Sequence, residues 1–148
     1  MKELNGFVLS DDLSTLFEYK GTSKDVVLPD GIKEIMDYAF MDKELVSVRL
    51  NDDLERIENK AFQGNFIEEI IIPRNVYSIG SCAFNCCYEL RKVTILNPMI
   101  SMYTDSFDHC YELEEIYFDG TKEEWEKTIY NEDDGSLLIG SDVVIRFK

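Results

Sequence analysis

Ala39-Phe40, Ala61-Phe62, Ala83-Phe84 and Ser106-Phe107 recur at intervals of 22, 22 and 23 residues, and other apolar positions move in step with them. A fixed period of this length marks a supersecondary unit too small to bury its own apolar face, so neighbouring units must stack and share a core. The chain is therefore expected to be a repeat array, with its fullest unit running from Ile79 to Ile95.

Aligned on the phenylalanine, each unit has a Leu or Ile five or six residues later: Leu45, Ile67, Leu90 and Leu113. A short alternating run comes after it, Val48/Leu50, Ile70/Ile72, Val93/Ile95 and Ile116/Phe118, with Val26/Leu28 as an incomplete first member. Two-residue alternation rich in β-branched residues predicts one half-buried strand per repeat, the strands pairing parallel about 4.8 Å apart. Leu28-Pro29-Asp30-Gly31 and Ile72-Pro73-Arg74-Asn75 then turn the chain, because Pro fixes φ and Gly or Asn accepts unusual backbone angles. The pairs Ile32/Ile35, Leu54/Ile57, Val76/Ile79 and Met99/Met102 come next. Their spacing of three predicts a tight helical or 3₁₀ turn facing inward on the opposite side of the coil.

Ile79, Ala83-Phe84, Cys87, Leu90, Val93 and Ile95, with Pro29 and Pro73 directly after two of the strands, form a pattern that resembles the BspA-type leucine-rich repeat. The resemblance runs from about Val26 to Phe118. It implies a strand-rich solenoid of α/β type, a right-handed coil with a parallel sheet on its concave side. Two units depart from it: Met41-Asp42-Lys43-Glu44-Leu45 and Gln63-Gly64-Asn65-Phe66-Ile67 lack the cysteine and are one residue shorter. Ser106 stands in the place of Ala in the fourth. Many relatives of this kind are parts of bacterial surface or secreted proteins.

A solenoid's first and last coils expose an apolar flank and an open strand edge, so both ends are expected to be capped. Phe7-Val8-Leu9 and Thr15-Leu16-Phe17-Glu18-Tyr19 around a polar turn predict an N-terminal β-hairpin cap. At the other end Thr121 and Glu124 make a capping box. It predicts a helix from Lys122 to about Tyr130 that buries Trp125 and Ile129, then a loop over 131–136 and a closing strand over Val143–Phe147. Gly120-Thr121 with Trp125 is also similar to the segment after the last BspA-type repeat. One domain is expected, with residues 1–24 as N-terminal cap, 25–118 as repeats and 119–148 as a helix-plus-strand C-terminal cap.

Thirty acidic against fifteen basic residues give a net charge of −15. Such a field repels phosphate backbones and anionic lipid, so no nucleic acid or membrane surface is expected as partner, and no stretch is long and apolar enough for membrane insertion. The first residues lack the apolar run of an export signal. A complete chain would on this ground be cytoplasmic, whereas a piece of a longer protein would, by the resemblance, be at the cell surface or secreted.

No convergent set of reactive groups is expected. His109 is the sole histidine and adjoins Cys110, but a Cys/His pair needs an exposed thiolate, and Cys110 and Cys87 occupy a packing phase. Those two share one repeat position, so their Cα atoms would lie about 5 Å apart, within disulfide range; packing as small apolar thiols is the plainer expectation. Cys82 and Cys86 fall at variable, more exposed positions. Glu132-Asp133-Asp134-Gly135 only partly resembles a calcium loop, with Tyr130 and Ser141 where ligands are needed, and is read as a solvated acidic loop. No paired cysteines suit zinc, no glycine-rich loop cradles phosphate, and no cofactor is expected.

The outward strand positions remain. In stacked coils Val27, Arg49, Ile71, Thr94 and Tyr117 form one column, and Asp25, Ser47, Glu69, Lys92 and Glu115 the next. Arg and Tyr are types favoured at contact sites. The expected function is a non-enzymatic binding module presenting a rigid strand-lined face to a protein partner with a basic patch, or to a glycan. A spacer segment of a larger surface protein and an enzyme built on Cys110 and His109 are the rival readings; the sequence sets no oligomeric state.

Overall fold

The computed structural model of the protein describes residues 1–130 and 136–148. The chain forms a strand-rich solenoid of about five turns with parallel sheets and almost no helix. Its axis is an aromatic file. Phe40, Phe62, Phe84 and Phe107 are fully buried, with ring centroids 4.9, 5.1 and 5.2 Å apart and nearly parallel planes. Tyr19 joins the file 5.3 Å before Phe40, and Phe7 packs 5.2 Å from Tyr19.

The elements in order are β1 (Lys2–Leu4), β2 (Phe7–Leu9), β3 (Thr15–Tyr19), β4 (Asp25–Val27), β5 (Glu34–Ile35), β6 (Ser47–Arg49), β7 (Arg56–Ile57), β8 (Glu69–Ile72), β9 (Ser78–Ile79), β10 (Lys92–Ile95), β11 (Ser101–Tyr103), β12 (Glu115–Phe118), α1 (Lys122–Trp125), β13 (Ile129–Tyr130) and β14 (Val144–Phe147). Each repeat contributes two strands rather than the one expected. The segments expected to be helical turns are the short strands β5, β7, β9 and β11, which join β1–β3 and β13 in one eight-stranded sheet. The reason is the supply of partners in the coil below: Met36 N donates to Leu16 O, Glu58 N to Ile35 O and Gly80 N to Ile57 O. With the ladder between coils satisfied, no local helical bond is required. The fold is therefore not of α/β type; α1 is the only α-helix among the described residues.

Two local expectations also change. Met99 is 78% exposed and Ile100 is buried in its stead. Asn97 Oδ1 accepts from Met99 N and Asn97 O from Ile100 N, so the longer turn sets Ile100 two residues before Met102, the period of a strand. The helix stops at Trp125 instead of running to Tyr130. Met102 N donates to Thr128 O, and Ile129 pairs with Met102, so the β-branched stretch after the helix is drawn into the sheet. The capping box is formed, with Glu124 N donating to Thr121 Oγ1 and Thr121 N to Glu124 Oε2. Trp125 is half-buried, edge-on to Phe118 at 5.2 Å.

The longer strands do not form one sheet. β8, β10, β12 and β14 make a four-stranded parallel sheet, while β4 and β6 pair separately. On the paired side Leu96 N donates to Ile72 O and Asp119 N to Ile95 O. The residue in that phase on β8's own coil is Pro73, which has no N–H to give. The seam between β6 and β8 is the result.

Candidate functional site

The outward columns stand in register where the strands pair. Val27 lies opposite Arg49, and Ile71, Thr94 and Tyr117 lie side by side; the row then continues to Arg146 on β14. In the second column Asp25 faces Ser47, whose hydroxyl donates to its carboxylate at 2.6 Å. Glu69, Lys92 and Glu115 align in turn, with Val144 beyond. Arg146 is not foreseen by the repeat phase, because β14 carries no repeat motif; its Nε lies 3.2 Å from Glu115 Oε2.

The seam shapes this face. A cleft of about 370 Å³ opens there, lined by Val48, Leu50, Ile71 and Leu96 with Arg49 and Glu69 at its polar margin. Ile71 is 58% exposed and adds an apolar group to the open side of the cleft. Nearby, Asn51 is buried, donates from Nδ2 to Pro29 O, and leaves Oδ1 without a donor among the described residues. At the far end Arg74 reaches Asp119 at 2.7 Å, and that guanidinium bond holds the Asp119 carboxyl below the usual carboxylate range.

The thiols are separate from this face. Cys87 Sγ donates to Phe62 O at 3.4 Å and Cys110 Sγ to Phe84 O at 3.2 Å, each tying its coil to the one before. Both are free thiols. Burial pushes the Cys87 thiol up to about 12 and raises that of Cys110 as well. His109 Nδ1 lies 3.2 Å from both Asn85 Oδ1 and Asp108 Oδ2. Among the described residues no group of three or more His, Cys, Asp or Glu side chains could hold a metal; the acidic loop Glu132-Asp133-Asp134-Gly135 lies outside them.

Two features escape a reading of the sequence alone. Asn65 occupies the cysteine position of its unit, fully buried: Nδ2 donates to Phe40 O and Phe62 O, and Oδ1 accepts from Leu45 N. Its phase, three after the Phe, is the available signal. Phe66, Tyr88 and Tyr111, four after the Phe, are an exposed aromatic series on the turn edge.

Residues 14–134 match the BspA type leucine-rich repeat region in six copies. The chain belongs to this family. The match reaches beyond Val26–Phe118 at both ends, as β3 and β13 do by pairing in phase with the array. No curated protein is detectably similar in sequence. Among solved structures, a T. pallidum leucine-rich repeat protein is similar at 24% identity and TM-score 0.57, covering 78% of this chain and 71% of its own. A leucine-rich cell surface protein of Faecalibacterium prausnitzii is 22% identical, with TM-score 0.52 over 64% of this chain and 35% of its own. The pneumococcal vaccine antigen PcpA is 18% identical, with TM-score 0.57 over 98% of this chain and 47% of its own. These likenesses bear on fold, and in the BspA-type array the cysteine position emerges as a link between coils.

Proposed function

We propose that this BspA-type domain is a non-enzymatic module that binds a protein through its strand-lined face. The observation that carries the reading is the in-register row Ile71, Thr94, Tyr117 and Arg146, with Arg49 across an apolar cleft. Side chains held on a stacked scaffold lose little conformational freedom on association, so the face is preorganised. The net charge of −15 selects a partner with a basic patch and speeds encounter at low salt. We read the coil as right-handed with this face concave, residues 1–24 and 119–148 as its lids, and the working place as a cell surface, as the name of the F. prausnitzii protein suggests. Arg49→Ala, an exposed substitution, should leave the melting temperature within about 2 °C, and Tyr117→Ala, at a half-buried residue whose hydroxyl donates to Asp119 Oδ1 at 3.4 Å, should lower it by a few degrees; each should weaken a partner captured from the host surface, and unchanged affinity would remove the face from consideration. A spacer role has one observation in its favour: two similar structures are more than twice as long as the part this chain covers.

The enzyme reading has little support, since the Cys110 thiol is turned to a backbone carbonyl. Iodoacetamide should label Cys82 and Cys86 in the native protein and Cys87 and Cys110 only after unfolding; native labelling of Cys110 would revive it.

A further inference from the structure

On the turn edge, away from the strand face, Tyr88 and Tyr111 stack with centroids 5.8 Å apart and planes 12° from parallel. Tyr111 is 72% exposed, and the His109 ring meets it edge-on at 5.6 Å. A cavity of about 350 Å³ opens beside it, with Asp108, His109, Tyr111, Leu113, Leu138 and Ile139 in its lining. Tyr88 is not part of that lining, which places the cavity on the side of Tyr111 away from the stack. Asp108 Oδ1 accepts from His109 N at 2.9 Å, and Oδ2 lies 3.2 Å from His109 Nδ1, so the carboxylate is held at the cavity wall. Glu89 and Glu112 come directly after the two tyrosines in the same phase and are exposed.

We propose that this cavity takes an arginine side chain from a basic segment of a partner protein. The volume is at the low end for small-ligand sites, about 300–1,000 Å³, and so suits one side chain rather than a helix. An aromatic face, an anchored carboxylate and an apolar wall match the three parts of arginine. The planar guanidinium stacks on the Tyr111 ring and forks onto Asp108, while the aliphatic stem lies on Leu113, Leu138 and Ile139. Lysine would supply the charge but not the flat contact. A sugar would need more polar groups around the ring than Asp108 and His109, and the acidic surroundings favour a cation. This surface stands or falls separately from the strand face.

The test is an NMR titration of the isotope-labelled full chain with a short peptide carrying one arginine among glycines and serines, the same peptide with citrulline, and a chitooligosaccharide. Saturable shifts of amides in 108–113 and 137–140 are expected with the arginine peptide alone. Tyr111→Ala and Asp108→Asn should each weaken binding by about fivefold or more, and Tyr111→Phe by less than about twofold; Glu18→Gln, which removes an exposed carboxylate on β3, should leave the arginine response unchanged. No saturable arginine shift, an equal response to citrulline, or binding undiminished in Tyr111→Ala would overturn the assignment. Saturable sugar shifts in place of arginine shifts would give the cavity to a glycan. Should Tyr111→Ala unfold, Asp108→Asn and the citrulline comparison still decide.

Discussion

The two sides of the coil differ in a way opposite to what strand length suggests. Strands of two or three residues run through most of the eight-stranded sheet without a break, whereas the other side, whose strands lengthen from three residues in β4 and β6 to four from β8 on, splits between β6 and β8. Continuity in a solenoid thus depends less on strand length than on whether each coil offers a donor where the next coil has an acceptor. Gly80 N, Glu58 N and Met36 N meet that condition on the short side; Pro73 fails it on the long side. The cleft beside Ile71 lies at that break, so a discontinuity of the scaffold falls within the proposed binding face.

Both sides of the coil rest on one aromatic core. Phe62→Ala empties the middle of the aromatic file that both sides share and should cost about 3–5 kcal/mol by the usual cavity penalty. Urea unfolding would then show the whole array, not one side, losing stability. Next in size is Asn65→Ala, which orphans Leu45 N and Phe40 O while Phe62 O keeps the Cys87 thiol, and should cost about 2 kcal/mol or more. Asn65→Cys, the residue of the later coils, should lose about half as much, because a thiol can donate to Phe40 O but cannot replace the bond to Leu45 N.

Pro73→Leu should make the two sides alike, since Leu96 stands in the same phase and donates to Ile72 O. The restored N–H should close the seam onto Leu50, stabilise the chain by about 1 kcal/mol and weaken any partner that uses the cleft. The smallest effect concerns Asp119. Its pKa is lowered chiefly by the bond from Arg74 and less by Lys148, so its contribution to stability is complete above the unfolded carboxyl value, about 3.9, and fades as pH falls below it. Arg74→Ala should move the Asp119 carboxyl titration upward toward that value and flatten the acid loss slightly, as a carboxyl NMR titration would record.

Much of this is legible in the chain. Stacking of Phe40, Phe62, Phe84 and Phe107 and the alignment of Ile71, Thr94 and Tyr117 come from one period, because every copy feels the same packing constraint. The short strands are not legible, because three-residue spacing of Ile32/Ile35 or Leu54/Ile57 fits a helical turn equally well, and only the neighbouring coil's carbonyls decide between them. Ile100 displaces Met99 for a reason carried by the Asn97 turn rather than by apolar spacing. Arg146 and the pocket beside Tyr111 depend on where the C-terminal segment folds back, which no repeat specifies. The seam is readable in principle: Pro73 marks a turn in the sequence, but its missing N–H matters only once a strand is known to lie on either side.

Hydrogen exchange of individual backbone amides measures the central asymmetry directly. Amides of β10 and β12, each flanked by strands on both sides, should be the best protected of the long strands, while those of β6 and β8 that point toward each other should exchange at rates closer to turn residues. Equal protection across β6, β8, β10 and β12 would mean that the sheet is continuous, and that neither the seam nor the cleft built on it exists.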